Sequence, residues 1–329
     1  MSKIVRFSST GDPDVLKLID EDVPAPAANE VQIRVAAIGL NRAEAMFRRG
    51  QYLEAPDLPA RIGYEASGTV IAVGDAVDEF KVGDAVSTIP NFSMNRYGVY
   101  GEVANLPDSA VTYYPGNLSW EQAASIWMQY LTAYGALIDI AKIQPDDLVV
   151  IPAASSSVGL AAIQICNLVG AVPIVLTRTA TKKTALLEQG AKHVVVTEAE
   201  DPVAAIEMIS NGQGARVVFD PVAGPMLNTL AEITATHGII FQYGALSPEA
   251  TPFPLFPVLA KGLTIRGYTL FEFTSEPERL ATAKKTIYEW LQSSLITPVI
   301  AKTFTLDQIV DAHRYMESNN QLGKIVVTV

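Results

Sequence analysis

The stretch VVIPAASSSVGLAAIQICNLVGA, Val149 to Ala171, decides the fold. It lies in a run from Leu148 to Thr177 that has no charged residue and is long enough to cross a membrane as a helix. Pro152 and Gly159, however, stand where a buried strand turns into a helix, with three serines between them. Because apolar strand patterns and amphipathic helix patterns then alternate along the chain, we interpret the stretch as a βαβ unit of a soluble protein.

The alternation continues as far as Gly267. The apolar runs are uninterrupted, as expected of strands buried on both faces: LVVIP, PIVLT, HVVVT, RVVFD, GIIFQYG and LTIRGY. Between them lie helix-like segments such as TKKTALLEQG and PMLNTLAEITA. This order predicts a doubly wound parallel sheet of the Rossmann type, and therefore an α/β fold class.

The flanking segments differ in character. Short strand patterns at 31–41, 63–77 and 81–90 predict a compact β-rich domain. Ser119 is an expected helix N-cap, with Gln122 at the third helical position, and apolar residues follow at helical spacing as far as Ala141. After Gly267, a helix near 276–291 and the strand KIVVTV predict a return to the first domain.

The expected domains are therefore a β-rich catalytic domain, 1–122 and 268–329, and an inserted nucleotide-binding domain, 123–267. The cleft between them is the default binding site.

Composition narrows the function classes. Of 329 residues, 49% are apolar and 18% charged, and the net charge of −11 disfavours nucleic acid as a general partner. The single cysteine, Cys166, excludes an internal disulfide, and the N-terminus lacks the apolar segment of a signal peptide. We expect a cytoplasmic protein without a membrane anchor.

Two short segments predict a dinucleotide site. The fingerprint G-x-G-x-x-G is replaced by residues 154–159, ASSSVG, in which only Gly159 fits and the serines offer hydroxyl donors to a phosphate. After the second strand, where an acidic residue would favour NAD, the chain has Thr177, Arg178 and, a short loop later, Lys182. These cations suit the 2′-phosphate of NADP, although a solvated basic helix start is the alternative.

These residues resemble a family. The segments IGLNRAEAMFRRGQY, GYEASGTVIAVG, KVGDAV, LSWEQAASI, LTAYGAL, FDPVAG, YGALS and HRYMESNNQLGKIVVTV occur in the order found in medium-chain dehydrogenase/reductases. The chain is most similar to the zinc-free quinone oxidoreductase, or ζ-crystallin-like, branch. The resemblance implies a GroES-like catalytic domain, a Rossmann NADPH-binding domain and a homodimer in which the strand LTIRGY is a plausible contributor.

The resemblance also implies roles for individual residues. Asn41 and Tyr52 are the candidate catalytic residues, with Asn41 near the nicotinamide and Tyr52 in the substrate cleft as a proton donor or as a wall. The candidate cofactor-binding residues are Asn41, Gln129, Thr132, Ser156, Ser157, Val158, Thr177, Arg178, Lys182, Tyr243, Gly244, Phe271 and Asn320.

No metal is expected. The positions that match the three zinc ligands of relatives hold Asn41, Tyr64 and Met128, which supply no thiolate or imidazole. Without a Lewis acid, a conjugated acceptor suits hydride transfer better than a simple alcohol. The implied activity is NADPH-dependent reduction of quinones or related conjugated carbonyls, with enone or enoyl double-bond reduction as one alternative. Another is a non-catalytic NADPH-binding or RNA-binding protein.

The three histidines and the cysteine are interpreted as structural. His193 is expected to open a strand, His237 to lie near a helix end and His313 to lie on the C-terminal helix. Cys166 is expected on the apolar face of the helix that follows the serine turn.

Overall fold

The computed structural model describes residues 1–329, and the chain divides into two compact units. Unit 1 comprises Met1–Met128 and Pro277–Val329, and unit 2 comprises Gln129–Glu276. The chain passes from unit 1 to unit 2 after Met128 and back after Glu276, later in both cases than the boundaries expected at 122 and 267. The assignment of a catalytic and a nucleotide-binding role to these parts stays a prediction.

The first part of unit 1 is built mainly of short antiparallel strands. Its strands are β1 (Ser2–Arg6), β2 (Lys17–Glu21), β3 (Glu30–Gly39), β4 (Glu65–Val73), β5 (Ala85–Thr88), β6 (Val103–Pro107) and β7 (Val111–Thr112). Its first helices are α1 (Arg42–Arg48) and α2 (Trp120–Ala123). The strands expected within 31–41, 63–77 and 81–90 are therefore confirmed as β3, β4 and β5.

The capping box of α2 is confirmed, but the single long helix expected after it is wrong. Ser119 accepts the N–H of Gln122, and the Gln122 side chain accepts the N–H of Ser119. The helix then stops, a second helix α3 begins at Trp127 and runs to Tyr134, and a π-helical turn follows. The reason is tertiary: the N–H of Met128 bonds to the buried Glu65 carboxylate at 2.7 Å.

Unit 2 contains a six-stranded, wholly parallel sheet. The strands are β8 (Leu148–Ile151), β9 (Val172–Thr177), β10 (His193–Val196), β11 (Ala215–Asp220), β12 (Thr234–Gln242) and β13 (Thr264–Gly267). The helices are α4 (Ser157–Val169), α5 (Lys183–Glu188), α6 (Pro202–Ile209), α7 (Met226–Ile233), α8 (Leu255–Lys261) and α9 (Leu270–Thr274). The order β10-β9-β8-β11-β12-β13 confirms the predicted doubly wound sheet. Its switch point, where ligands of such sheets bind, lies between β8 and β11.

The uncharged run that opened the sequence analysis lies in this sheet. Val150, Ile174 and Val218 are completely buried in one apolar cluster, which explains the uninterrupted apolar strands. No helix of the chain is both long enough and apolar enough to span a membrane. His237 lies four residues after the end of α7, as expected, and is already part of β12, with a φ of +62°.

The chain finally returns to unit 1. Its last elements are α10 (Pro277–Gln292), β14 (Ile300–Thr305), α11 (Ile309–Glu317) and β15 (Lys324–Thr328). Strand β15 pairs antiparallel with β3 and parallel with β14, so the predicted return is confirmed. The resulting sheet has the order β14-β15-β3-β4-β5-β7, with β6 also on β3.

Candidate active site

The turn between β8 and α4 gathers backbone donors at one point. Ser156 is the N-cap of α4, and its hydroxyl accepts the N–H of Gly159 at 3.1 Å. The N–H groups of Ser157 and Val158, in the first turn, have no carbonyl within the helix to bond. Together with the positive end of the helix dipole, they form a site for an anion.

Gly159 is the one fingerprint glycine that this turn requires. A Cβ added there would lie 2.6 Å from the carbonyl oxygen of Ala154, because α4 starts directly over the end of β8. Ala154 and Ser156, at the other two glycine positions, have no positive φ. The turn therefore needs close approach at its third glycine position only.

A pair of cations lies beside this turn. The Nζ of Lys182 donates to the Ser155 hydroxyl at 2.9 Å, which brings the end of the second strand up to the serine turn. Partial burial, and then repulsion from Arg178, lower the pKa of Lys182. Arg178 is exposed and Thr177 is half-buried. An anion between the two cations would relieve their repulsion.

The ends of β11 and β12 hold a buried hydroxyl. The Tyr243 ring stacks on Phe219 with ring centroids 4.0 Å apart, and its buried hydroxyl has no hydrogen-bond partner. Gly244 packs closely against the next loop, since a Cβ there would meet the Pro221 carbonyl oxygen at 2.7 Å. Tyr243 therefore offers a donor at the carboxyl edge of the sheet.

Helix α3 supplies a second unpartnered atom in unit 2. Gln129 is 2% exposed, and its side-chain oxygen has no hydrogen-bond partner, while Thr132 lies buried one turn along. The Tyr130 hydroxyl donates to Gln164 at 3.0 Å. Phe271 lies half-buried on α9. An orphaned buried carbonyl oxygen is costly unless it accepts a bond from a ligand.

The donor set of unit 2 fits a phosphorylated dinucleotide. It combines a helix start for a pyrophosphate, two cations for a further phosphate, and buried polar atoms at Gln129 and Tyr243. The segment 177–182, TRTATK, contains no carboxylate that would repel the further phosphate.

In unit 1, Tyr52 forms a phenol pair with Tyr64. Their rings lie 6.4 Å apart, and their hydroxyls are hydrogen-bonded to each other. Burial raises the pKa of Tyr52 to about 12, despite the opposing effect of this bond. Tyr52 is therefore protonated at every physiological pH and retains an O–H group.

Asn41 lies in a buried polar cluster. Its side-chain oxygen accepts a bond from Lys324 at 2.6 Å, and its amide nitrogen lies 3.2 Å from both Glu44 and Glu65. Lys324 also forms an ion pair with Glu65, and both side chains are at most 1% exposed. Burial raises the pKa of Glu44 to about 7, although Lys324 acts to lower it.

A directed hydrogen-bond chain leads to Glu44. Arg48 can only donate, so Nδ1 of the buried His313, 2.9 Å away, must accept and the proton lies on Nε2. Nε2 then donates to the Tyr100 hydroxyl at 3.3 Å, and Tyr100 donates to Glu44 at 3.1 Å. Burial, together with Arg48, lowers the pKa of His313 to about 3. The expected structural role on the C-terminal helix agrees with this geometry.

The sequence reasoning missed most of this cluster. It named Asn41 but not Glu44, Glu65, Tyr100 or Lys324, although two of these are acidic residues within the motifs NRAE and GYE. An acidic residue next to apolar ones in these two motifs was the signal that could have identified Glu44 and Glu65 as members of the cluster. Asn320 is exposed, in the loop after α11, and takes no part in the cluster.

Comparison with known proteins gives the family. Residues 27–152 match the alcohol dehydrogenase GroES-like domain, and residues 157–285 match the zinc-binding dehydrogenase domain. The quinone oxidoreductase of Lama guanicoe is 32% identical over 99% of this chain and 97% of its own length. The chain is a medium-chain dehydrogenase/reductase of the quinone oxidoreductase branch.

Other relatives span most of the chain as well. The synaptic vesicle membrane protein VAT-1 homolog of Danio rerio is 31% identical over 97% of this chain and 68% of its own. The crystal structure of Escherichia coli quinone oxidoreductase complexed with NADPH superposes with a TM-score of 0.93 at 29% identity, covering 99% of this chain and 100% of that one. The GroES-like and Rossmann-type fold class is thereby confirmed.

Burial of His313 predicts that the free energy of unfolding falls in acid. The pKa of His313 is 6.5 in an unfolded chain and about 3 in the fold. Between these values the unfolded chain binds a proton that the folded one does not, so the free energy of unfolding falls by about 1.4 kcal/mol per pH unit as the pH drops. We expect His313→Gln, which can keep both hydrogen bonds, to remove this slope in urea unfolding between pH 4 and 6.

The pH dependence that Glu44 gives to the free energy of unfolding is opposite in sign to that of His313. The pKa of Glu44 is raised from 4.5 to about 7, so its contribution to stability falls as the pH rises through that window. Glu44 is present in both proteins, and the difference between them isolates His313. Equal slopes in the two proteins would contradict the prediction.

Proposed function

We propose that the protein is an NADPH-dependent reductase that transfers a hydride to quinones or related conjugated carbonyls without zinc. The observation that carries the proposal is the pair Arg178 and Lys182, held beside the serine turn by the bond from Lys182 to Ser155. The quinone oxidoreductase relatives, one of them in complex with NADPH, support the same reading.

Residues of unit 2 would bind NADPH, which supplies the hydride when bound. The helix start at Ser156, Ser157 and Val158 would take the pyrophosphate, and Arg178 and Lys182, next to Thr177, the 2′-phosphate. The unpartnered atoms of Gln129 and Tyr243 would bond to the polar groups of the dinucleotide. The remaining candidate contacts in unit 2 are Thr132, Gly244 and Phe271, and unit 1 contributes the candidates Asn41 and Asn320.

The polar cluster of unit 1 supports a reaction without zinc. At the positions that match zinc ligands, Asn41 is bonded to an ammonium group and Tyr64 to another phenol. Because the Lys324 ammonium lies 2.6 Å from the Asn41 oxygen, it would repel a divalent cation placed there. We propose that substrate oxygens are met by protein donors instead.

Tyr52 is the proposed donor. Its O–H would bond to the carbonyl oxygen of the acceptor and, as negative charge develops there during hydride addition, hold or transfer the proton. The hydrogen bond with Tyr64 would stabilise the charge that then develops on the Tyr52 oxygen. A raised pKa suits a group that must remain protonated until it reacts.

The cofactor assignment predicts that variants of Arg178 and Lys182 have a higher KM for NADPH and an unchanged KM for NADH. Arg178→Ser and Lys182→Ala should each raise KM for NADPH about tenfold or more, because each removes a charge-assisted bond to the 2′-phosphate, and should leave KM for NADH within about twofold. Initial rates of nucleotide oxidation at 340 nm measure both.

Lys183→Ala is the matched control. Lys183 is the neighbouring cation and forms a 3.5 Å ion pair with Glu200, so its loss should not change KM for NADPH. If all three variants raised KM equally, a general electrostatic effect would explain the result and the 2′-phosphate assignment would be rejected.

The proposed role of Tyr52 predicts a loss of turnover. Tyr52→Phe should lower kcat for 1,2-naphthoquinone about a hundredfold at neutral pH, since it removes a proton donor without changing the ring. Tyr97→Phe removes a partly buried hydroxyl that bonds to Glu30 in the same unit and should leave kcat unchanged.

The substrate panel separates the candidate reactions. Turnover of a simple enone but not of quinones would favour double-bond reduction. NADPH binding without turnover of either acceptor would favour a non-catalytic role, and a salt-dependent RNA complex would favour RNA binding. Unchanged kcat in Tyr52→Phe would make Tyr52 a wall of the cleft.

We also propose that the protein is a cytoplasmic homodimer. Strand β13 is an edge of the parallel sheet, and the segment that precedes it in the chain carries four exposed apolar side chains: Phe253, Leu255, Phe256 and Leu259. An open strand edge and exposed apolar side chains both suit pairing with a second copy about a two-fold axis. The buried single thiol of Cys166 agrees with a reducing compartment.

Light scattering during chromatography tests the dimer. Phe256, 80% exposed, should lie in the interface, so Phe256→Asp should convert a dimer of the native chain into a monomer. Met208→Asp is the control, because Met208 is equally apolar and 77% exposed but lies on α6. A native chain with the mass of one protomer would reject the proposal.

A further inference from the structure

Lys324 is a buried lysine that neither the fold nor the proposed chemistry explains so far. It is the first residue of β15, its side chain is fully buried, and its Nζ reaches the Asn41 oxygen at 2.6 Å and the Glu65 carboxylate. Gly39 packs against the Ala124 backbone and the lysine stem: a Cβ at this glycine would lie 2.0 Å from the Ala124 carbonyl oxygen and 2.7 Å from the Lys324 Cε.

Stability alone does not account for this arrangement. A buried ion pair contributes little or is unfavourable compared with packed apolar side chains of similar volume, because both charges lose their hydration. The sequence nevertheless places a lysine, two carboxylates and an amide in one buried cluster. In several proteins a buried polar group that does not stabilise the fold is retained for specificity or function.

The ammonium group decides which way the Asn41 amide faces. An ammonium only donates, so the atom 2.6 Å away must be the amide oxygen. The amide nitrogen then faces three acceptors: the Gly39 carbonyl at 3.1 Å, and Glu44 and Glu65 at 3.2 Å each. A flipped amide would set its N–H groups against the ammonium and its oxygen against three oxygens.

This orientation limits what Asn41 can offer to a ligand. Both amide hydrogens are taken up by the three acceptors, and one lone pair of the oxygen by Lys324. The remaining capacity is the second lone pair of that oxygen. Asn41 can therefore accept a hydrogen bond from a bound nucleotide but cannot donate one to a developing oxyanion, a role left to Tyr52.

We propose that Lys324 is a positioning residue that acts through Asn41, fixing its amide as an acceptor for a donor group of NADPH. This inference rests on the proposed function, since it gives Asn41 a nucleotide partner. The acceptor chemistry fits either a ribose hydroxyl or the carboxamide N–H of the nicotinamide, both of which belong to the same ligand.

A double-mutant cycle tests the proposal. The dissociation constant for NADPH, from the change in nucleotide fluorescence on binding, is measured for the native protein, Asn41→Ala, Lys324→Met and the double variant. Lys324→Met should weaken NADPH binding about tenfold in the native background and less than about twofold when Asn41 is already alanine. A structural role would give the same weakening in both backgrounds.

Two further proteins keep the test decisive. Arg6→Met removes another cation of the same unit, which bonds to Glu21 and the Pro59 carbonyl and to no residue of the Asn41 cluster, so it should lower stability but leave NADPH affinity unchanged. If Lys324→Met alone does not fold, Lys324→Met/Glu65→Gln replaces it in the cycle, because this pair loses both charges together and keeps an oxygen for the Met128 N–H.

The outcomes separate this inference from the proposed function. Additive effects, or an Asn41→Ala variant that binds NADPH as tightly as the native protein, overturn the role of Lys324. Absence of quinone and enone turnover in the native protein overturns the proposed reaction, while the affinity cycle still decides the role of Lys324.

Discussion

The candidate cofactor site depends on one close approach, that of Gly159 to the carbonyl oxygen of Ala154. A side chain at residue 159 would meet that oxygen at 2.6 Å, so only glycine lets α4 begin directly over the end of β8. This geometry points the first-turn N–H groups at the switch point of the sheet. It also brings Ser155 within 2.9 Å of Lys182, so that the cations after β9 stand beside the same turn.

The charged cluster of unit 1, formed by Glu44, Glu65 and Lys324, is buried. The Lys324 ammonium group forms an ion pair with Glu65 and acts on Glu44 only through space, so backbone and side-chain donors stabilise the Glu44 carboxylate. These interactions do not fully offset the cost of burying the Glu44 charge, because burial raises the pKa of Glu44 to about 7. The chain from His313 through Tyr100 ends on the same carboxylate, so a neutral histidine and a carboxyl of intermediate acidity are joined by one phenol.

Local patterns predicted the features that depend on neighbours in the chain. The uninterrupted apolar strands, the Ser119 cap and the single required glycine followed from periodicity and from turn chemistry. The helix expected from Ser119 to Ala141 failed because a distant residue, Glu65, binds the N–H of Met128. Lys324, nearly three hundred residues from Asn41, was missed for the same reason, since nothing local distinguishes a buried lysine from a surface one.

The two units thus solve opposite electrostatic problems. In unit 2 the exposed Arg178 and the partly buried Lys182 lie close together, and salt screens the field of Arg178 because this side chain is open to water. In unit 1 the Lys324 ammonium group is fully buried and paired with Glu65, so salt scarcely screens it. A ligand charge can therefore be recognised by the first arrangement only. The second is suited to holding an amide in one orientation, because its charges are satisfied before any ligand arrives.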